Sequence, residues 1–333
     1  MRVAVIGAGS WGTTFASLRC GNGPTVLWAR RAAVAEEVER HHTNADYLPG
    51  IVLSASLRAT ASLAGAVADA DAIAIAVPSQ RFRGVLAALA PHLAPGVPVV
   101  SLAKGLEQRT RRRMTEVVAE LAPGHPVGVL TGPNLAGEII AGRPAASVLA
   151  MADDALAAEL QQAFATESFR VYTNDDVVGC EVAGALKNVT AIAAGMSDGM
   201  GLGDNARAAI VTRGLAELTR LAVALGGDAR TCAGLAGLGD LVATCSSEKS
   251  RNHQVGVALG RGLDLAGVEA ATRTVAEGVR SAPVVCELGA ELGVEVPIAE
   301  QTAAVCAGRA SAEDALAALM HRRPRRELHG LWP

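Results

Sequence analysis

Aromatic side chains are scarce: Phe, Trp and Tyr together make up 3% of the 333 residues. A core with so few large rings has to rely on close approach of small side chains, and alanine and glycine are abundant. An excess of either charge is missing too. The net charge is −3, so no overall field draws the chain to nucleic acid or to an anionic membrane surface. No run of about 20 apolar residues free of charge occurs, which argues against stable membrane insertion. The N-terminal "MRVAVIGAGS" has too short an apolar run for a secretory leader and reads as a strand ending in glycines. The six cysteines, Cys20, Cys180, Cys232, Cys245, Cys286 and Cys306, form no C-x-x-C, and His253 does not complete a zinc spacing with Cys245. No metal site is expected. The thiols read as reduced, and the cytoplasm is the default location.

The length allows about two domains. In the first half, short apolar runs ("RVAVIG", "TVLWAR", "DAIAIAVPS", "VPVVSLAK", "PVGVLTG", "ASVLA", "FRVYT") alternate with helical patterns such as "SWGTTFASLRCG" and "FRGVLAALAPHL". Strands buried on both faces read this way, and the alternation predicts a doubly wound parallel sheet. Past about Asn174 the strand-like runs stop and helical spacing takes over. The expected organisation is a dinucleotide-binding domain at 1–176, an all-helical substrate domain at 177–322 and a basic tail at 323–333.

Gly7, Gly9 and Gly12 follow the first strand and open a helix in G-x-G-x-x-G spacing. In that context Gly7 permits the tight turn, Gly9 lets backbone approach a pyrophosphate and Gly12 allows close helix–strand packing. The helix N-terminus then offers N–H groups to the anion. A fold selective for NAD would carry an acid at the end of the second strand to hold the ribose 2′-hydroxyl. This chain carries Arg30 and Arg31 there, which suit a 2′-phosphate, so NADP(H) is expected to be accepted. Other residues at strand ends, where ligands gather in such sheets, are Pro78, Lys104, Gly132 and Asn134.

Within "GALKNVTAIAAGMSDGMG", Lys187 sits in an apolar, small-residue segment. A buried unpaired ammonium is costly. Helical spacing puts Gly184, Lys187, Asn188 and Ala191 on one face, with room beside the two polar groups. Further on, Asp240 lies in the glycine-rich "GLAGLGDL" and can orient Lys187. Ser250, Arg251 and Asn252 at a helix start suit a phosphate, combining a guanidinium fork with amide donors. Three readings fit these residues: a dehydrogenase acting on a phosphorylated substrate, a related dehydrogenase of β-hydroxy acids or ketopantoate-like substrates, and a non-catalytic dinucleotide sensor.

The motifs "GAGSWGT", "LWARR", "YLPG", "AVPSQ", "KGLE", "TGPNLAGEI", "GALKNVTAIAAGMSDGMG", "NARAAIVTRGL", "GLAGLGDL", "SRN" and "AEGV" occur in this order. In them the chain closely resembles the bacterial-type NAD(P)-dependent glycerol-3-phosphate dehydrogenases over nearly its whole length. The resemblance implies a Rossmann-type N-terminal domain with an all-α C-terminal domain of the 6-phosphogluconate-dehydrogenase-like kind. It also implies reversible conversion of sn-glycerol 3-phosphate and NAD(P)+ to dihydroxyacetone phosphate and NAD(P)H, in service of phospholipid synthesis, and a homodimer. Carried over by motif, Lys187 resembles the catalytic acid/base, with Asp240 beside it. Lys104, Gly132, Asp240, Ser250, Arg251 and Asn252 resemble substrate contacts. Ser10, Trp11, Arg30, Arg31, Lys104, Ala136, Arg251, Val275 and Glu277 resemble cofactor contacts. The "GPN" turn departs from the pattern: the family commonly has Ser or Thr where Asn134 stands, although an amide can still bond a phosphate or hydroxyl.

Overall fold

The computed structural model describes residues 1–271, 276–324 and 326–327. These form two compact units. One comprises Met1–Glu107 and Arg112–Val177; the other comprises Gln108–Arg111 and the described residues from Val178 onward. Val275 and most of the expected basic tail lie outside the described residues.

The first unit contains strands β1 (Val3–Ile6), β2 (Thr25–Trp28), β3 (Arg58–Thr60), β4 (Ala72–Ile75), β5 (Val99–Ser101), β6 (Val127–Thr131), β7 (Ala145–Met151) and β8 (Phe169–Asn174). Its helices are α1 (Ser10–Arg19), α2 (Ala32–His41), α3 (Leu63–Val67), α4 (Ser79–Leu89), α5 (Met114–Leu121), α6 (Ala136–Ile140) and α7 (Asp154–Phe164). The strands make one sheet in the order β3-β2-β1-β4-β5-β6-β7-β8. The order reverses between β1 and β4, which are parallel neighbours with Val3 opposite Ala72 and Ile6 opposite Ile75. β1 shows why the run reads as buried throughout. Val3 and Val5 join one core with Phe15 and Phe164. Ala4 and Ile6 face the opposite core with Phe82 and Leu86. Alternation along a strand sends successive side chains to opposite faces, so helices on both sides demand apolar residues at every position.

The expected Rossmann-type doubly wound sheet is present, with one departure from the parallel pattern: β7 runs antiparallel to β6, pairing Thr131 with Val148. The connection explains it. α6 has five residues, about 7.5 Å of helix, too short to return along β6, which is about 16 Å long. The chain therefore turns back and pairs directly. The sequence runs also missed β3, a three-residue edge strand of which Arg58 is exposed and Ala59 and Thr60 are half-buried, too short to show a pattern.

The second unit is helical: α8 (Val177–Gly199), α9 (Gly203–Ala224), α10 (Ala229–Cys232), a π-helical turn at Leu235–Gly239, α11 (Asp240–Ser246), α12 (Arg251–Gly260), α13 (Leu265–Ala271), α14 (Glu277–Leu292), α15 (Pro297–Cys306) and α16 (Ala312–Met320). α8 is its axis. This helix is long and apolar enough to cross a membrane by composition, but 89% of its most apolar window is buried inside the protein. Its small residues permit backbone contact with α12. A Cβ on Gly195 would lie 2.2 Å from the His253 carbonyl oxygen, and one on Gly256 would lie 2.1 Å from that of Ile192. The scarcity of aromatics is met here by a seam of glycines rather than by interlocking rings.

Candidate active site

In the first unit the glycine-rich loop follows β1 at the point where strand order reverses, the position at which open α/β sheets bind ligands. Gly7 has φ +123°, and a Cβ there would lie 2.9 Å from the Ala76 carbonyl oxygen at the end of β4. A Cβ on Gly12 would lie 2.0 Å from the Gly7 carbonyl oxygen, so α1 can pack on the loop only as glycine. Gly9 is the opposite case: a Cβ there would meet nothing within 4 Å among the described residues. Among the described residues the first turn of α1 has no side-chain cap, and it carries no acidic residue, which leaves its N–H groups and dipole to an anion. The loop thus fits a dinucleotide pyrophosphate. Asn44, fully buried, holds it in place, donating from Nδ2 to the Ala8 carbonyl at 3.1 Å and to Thr13 Oγ1 at 2.9 Å.

Ser10 opens α1, and its hydroxyl donates to the Tyr47 carbonyl at 3.0 Å. The Trp11 ring lies 6.0 Å from those of Phe15 and Phe169. Arg30 is exposed beyond β2. Arg31 donates to Asp46 Oδ2 at 2.6 Å and lies over the Tyr47 ring, 5.8 Å from its centre. Pro78 caps α4 immediately after β4. Lys104, beyond β5, donates from Nζ to the Gly132 carbonyl at 2.6 Å. Asn134 accepts from Ser147 Oγ at 2.5 Å, while its Nδ2 is buried with no hydrogen-bond partner among the described residues. That contact follows from the antiparallel turn, which brings the start of β7 back to the end of β6. Ala136 opens α6 and accepts from Thr14 Oγ1 at 3.4 Å.

In the second unit Lys187 is 5% exposed, in the middle of α8. It does not snorkel. Its Nζ donates to Asp240 Oδ1 at 2.5 Å and to Thr244 Oγ1 at 2.7 Å. Thr244 donates its own hydroxyl proton to the Asp240 carbonyl at 2.6 Å, one turn back along α11. An ammonium has three donors, and among the described residues these two bonds leave one for a substrate oxygen. The neighbouring thiol does not compete in chemistry: burial pushes Cys245 up to about 12.

Asn188 and Asn252 are joined in a directed chain. The Gly278 N–H donates to Asn252 Oδ1 at 2.9 Å, and Asn252 Nδ2 donates to Asn188 Oδ1 at 2.9 Å. A backbone N–H cannot accept, so both amide orientations are fixed and Asn188 must present its Nδ2 as a donor. Ser250 caps α12, accepting from the His253 N–H at 3.3 Å. Arg251 is exposed at the first helical position of α12, and Glu277 opens α14. His253 is fixed from the other side, with Nε2 2.8 Å from Asp198 Oδ2. The structure thus brings Lys187 to Asp240, and Asn188 to Asn252, within one unit. It likewise gathers Gly7, Gly9, Ser10, Trp11, Gly12, Arg31 and Pro78 around the β1–β4 end of the other.

The model of the N-terminus of NAD-dependent glycerol-3-phosphate dehydrogenase matches residues 2–157, and that of the C-terminus matches residues 176–317. The chain belongs to this family.

Among its relatives, glycerol-3-phosphate dehydrogenase (NAD(P)+) 2 of Sphingopyxis alaskensis is 52% identical over 320 residues, 96% of each chain. Glycerol-3-phosphate dehydrogenase (NAD(P)+) 1 of Mycobacterium tuberculosis is 49% identical over 330 residues, 99% of this chain and 97% of the relative. The crystal structure of glycerol-3-phosphate dehydrogenase from Coxiella burnetii superposes with a TM-score of 0.92 at 36% identity, covering 96% of this chain and 99% of that one. Against this glycerol-3-phosphate dehydrogenase frame, sequence reading overlooked four residues that shape the two regions: Asn44, Asp46, Ser147 and Thr244. Only Thr244 left a trace, standing one helical turn after Asp240. The others reach the site through loops or a reversed strand, where spacing carries no signal.

Proposed function

We propose that this chain is an sn-glycerol-3-phosphate dehydrogenase that reversibly interconverts dihydroxyacetone phosphate and sn-glycerol 3-phosphate with NADP(H) or NAD(H). The observation that carries the reading is the buried Lys187 ammonium, paired to Asp240 and Thr244 with one donor left over. Hydride chemistry belongs to the dinucleotide when bound; the chain's residues bind, orient and move the proton. In reduction, Lys187 Nζ gives a proton to the C2 oxygen of the ketone. In oxidation it takes that proton back from the hydroxyl. Asp240 is the fixed counter-ion that sets the direction of Nζ, and Thr244 braces both. Asn188 Nδ2, aimed by Asn252, is a donor suited to a substrate oxygen. Arg251 offers a fork to the phosphate beside the N–H groups of α12 capped by Ser250. Lys104, Gly132 and Asn134 are the remaining substrate contacts. Gly7, Gly9, Ser10, Trp11, Gly12, Arg30, Arg31, Pro78, Ala136 and Glu277 serve the dinucleotide, together with Lys104 and Arg251.

We further read the enzyme as a cytoplasmic homodimer that supplies the glycerol backbone of phospholipids. Six free cysteines support the location; the pairing and pathway rest on family resemblance. The test is loss of the reduced-nicotinamide absorbance on adding dihydroxyacetone phosphate, with NADPH and NADH in turn. Turnover with the phosphorylated ketone supports the reading. Turnover only with a 2-keto acid such as ketopantoate, or with neither, overturns it.

A further inference from the structure

The end of β2 lacks the acid that would hold an unphosphorylated ribose, and Arg30 and Arg31 stand in its place. The fold nevertheless delivers an acid there. The chain leaves α2, turns at Asn44 and returns Asp46 to Arg31, 15 residues earlier in sequence, at 2.6 Å. This placement is built rather than incidental. Asn44 is fully buried and hydrogen-bonded to the Ala8 carbonyl and Thr13 of the glycine-rich region. Tyr47 and Leu48 donate their N–H groups to the Asn44 carbonyl at 3.1 and 2.8 Å. Ser10 Oγ ties the Tyr47 carbonyl to the first residue of α1 at 3.0 Å. The turn carrying Asp46 is therefore pinned on both sides to the dinucleotide loop, and Tyr47 supplies an aromatic face under the Arg31 guanidinium.

We propose that Asp46 is a specificity-determining residue for the coenzyme, working against Arg30 and Arg31. Its carboxylate occupies Arg31 and offers an acceptor to a ribose 2′-hydroxyl, while its charge repels a 2′-phosphate. Resting on the coenzyme reading above, this accounts for a site with two arginines that still accepts the unphosphorylated dinucleotide. Arg31 and Asp46 side chains are 50% and 56% exposed, so the pair is weak and a bound phosphate can take Arg31 from it. Arg30 has no salt bridge among the described residues and meets the phosphate without competition.

The test is equilibrium titration of wild type and Asp46→Asn with NADPH and NADH, read by nicotinamide fluorescence without substrate. Asp46→Asn keeps the shape and removes the charge at an exposed position. The ratio of the NADH to the NADPH dissociation constant should rise about fivefold, the size of one exposed charge pair, and the rise should shrink at high salt. Arg31→Gln should move the ratio the other way. An unchanged ratio in Asp46→Asn, with both coenzymes still bound, overturns the role of Asp46 and leaves the enzyme reading standing. Wild-type protein that binds neither coenzyme overturns both.

Discussion

Replacing Asp240 by alanine removes the carboxylate that lies 2.5 Å from Lys187 Nζ, where the two side chains are 2% and 6% exposed. Both groups are nearly fully buried, so the stranded ammonium is poorly solvated. Breaking a buried pair from one side costs about 3–5 kcal/mol, because the partner's desolvation is left uncompensated. Lys187→Met strands the carboxylate in the same way, although Thr244 still lies beside it. The double variant Lys187→Met/Asp240→Ala has no buried charge left to strand, so it should be less damaged than the sum of the singles by about 3 kcal/mol. The assay is urea unfolding followed by far-UV circular dichroism on the full chain. Asp46→Asn is the internal control: its pair with Arg31 is half exposed, and its loss should cost no more than about 1 kcal/mol. Additive single-variant effects, or an Asp240→Ala cost below about 1 kcal/mol, would refute the claim that Lys187 and Asp240 form a coupled buried pair.

Two further outcomes are expected. Glu217 of α9 is buried and accepts from the Ile298 N–H at 2.8 Å and the Ala299 N–H at 3.3 Å; burial, opposed by those two bonds, pushes its carboxyl up to about 7 from 4.5. A raised folded value favours the protonated form. The associated stability is therefore full below about pH 4.5 and is lost as pH rises through 7, by about 3 kcal/mol in all. Glu217→Gln should accordingly gain stability relative to wild type across that window in chemical denaturation, and a flat difference between pH 5 and 8 would contradict the assignment. Arg251→Ala should raise KM for glycerol phosphate at least about tenfold, the scale of a lost charged hydrogen bond. An unchanged KM in steady-state kinetics would remove Arg251 from the phosphate site.

The legible parts of this molecule are those in which one physical demand repeats along the chain. β1 reads as a doubly buried strand because Val3, Ala4, Val5 and Ile6 each meet a core. Gly7 and Gly12 are visible because no other residue fits against Ala76 and the Gly7 carbonyl. Lys187 stands out as a charge in a helix otherwise built for packing, and Asp240 as an acid among glycines; the structure joins them directly. What stayed hidden depends on tertiary closure. The reversal of β7 follows from the length of α6, not from any pattern in β7 itself. Asn44 and Asp46 lie in a turn whose polar residues read as ordinary loop, and only the folded chain shows one holding the cofactor loop and the other reaching Arg31. The directed chain from Gly278 through Asn252 to Asn188 joins three helices, and no local spacing announces it.

The most direct test of the account is turnover of Lys187→Met with dihydroxyacetone phosphate and NADPH, measured beside its coenzyme dissociation constant. The expected result is a loss of at least about 10²-fold in kcat, the low end for removing a general acid–base group, with coenzyme affinity within about threefold of wild type. Wild-type turnover in that variant would contradict it.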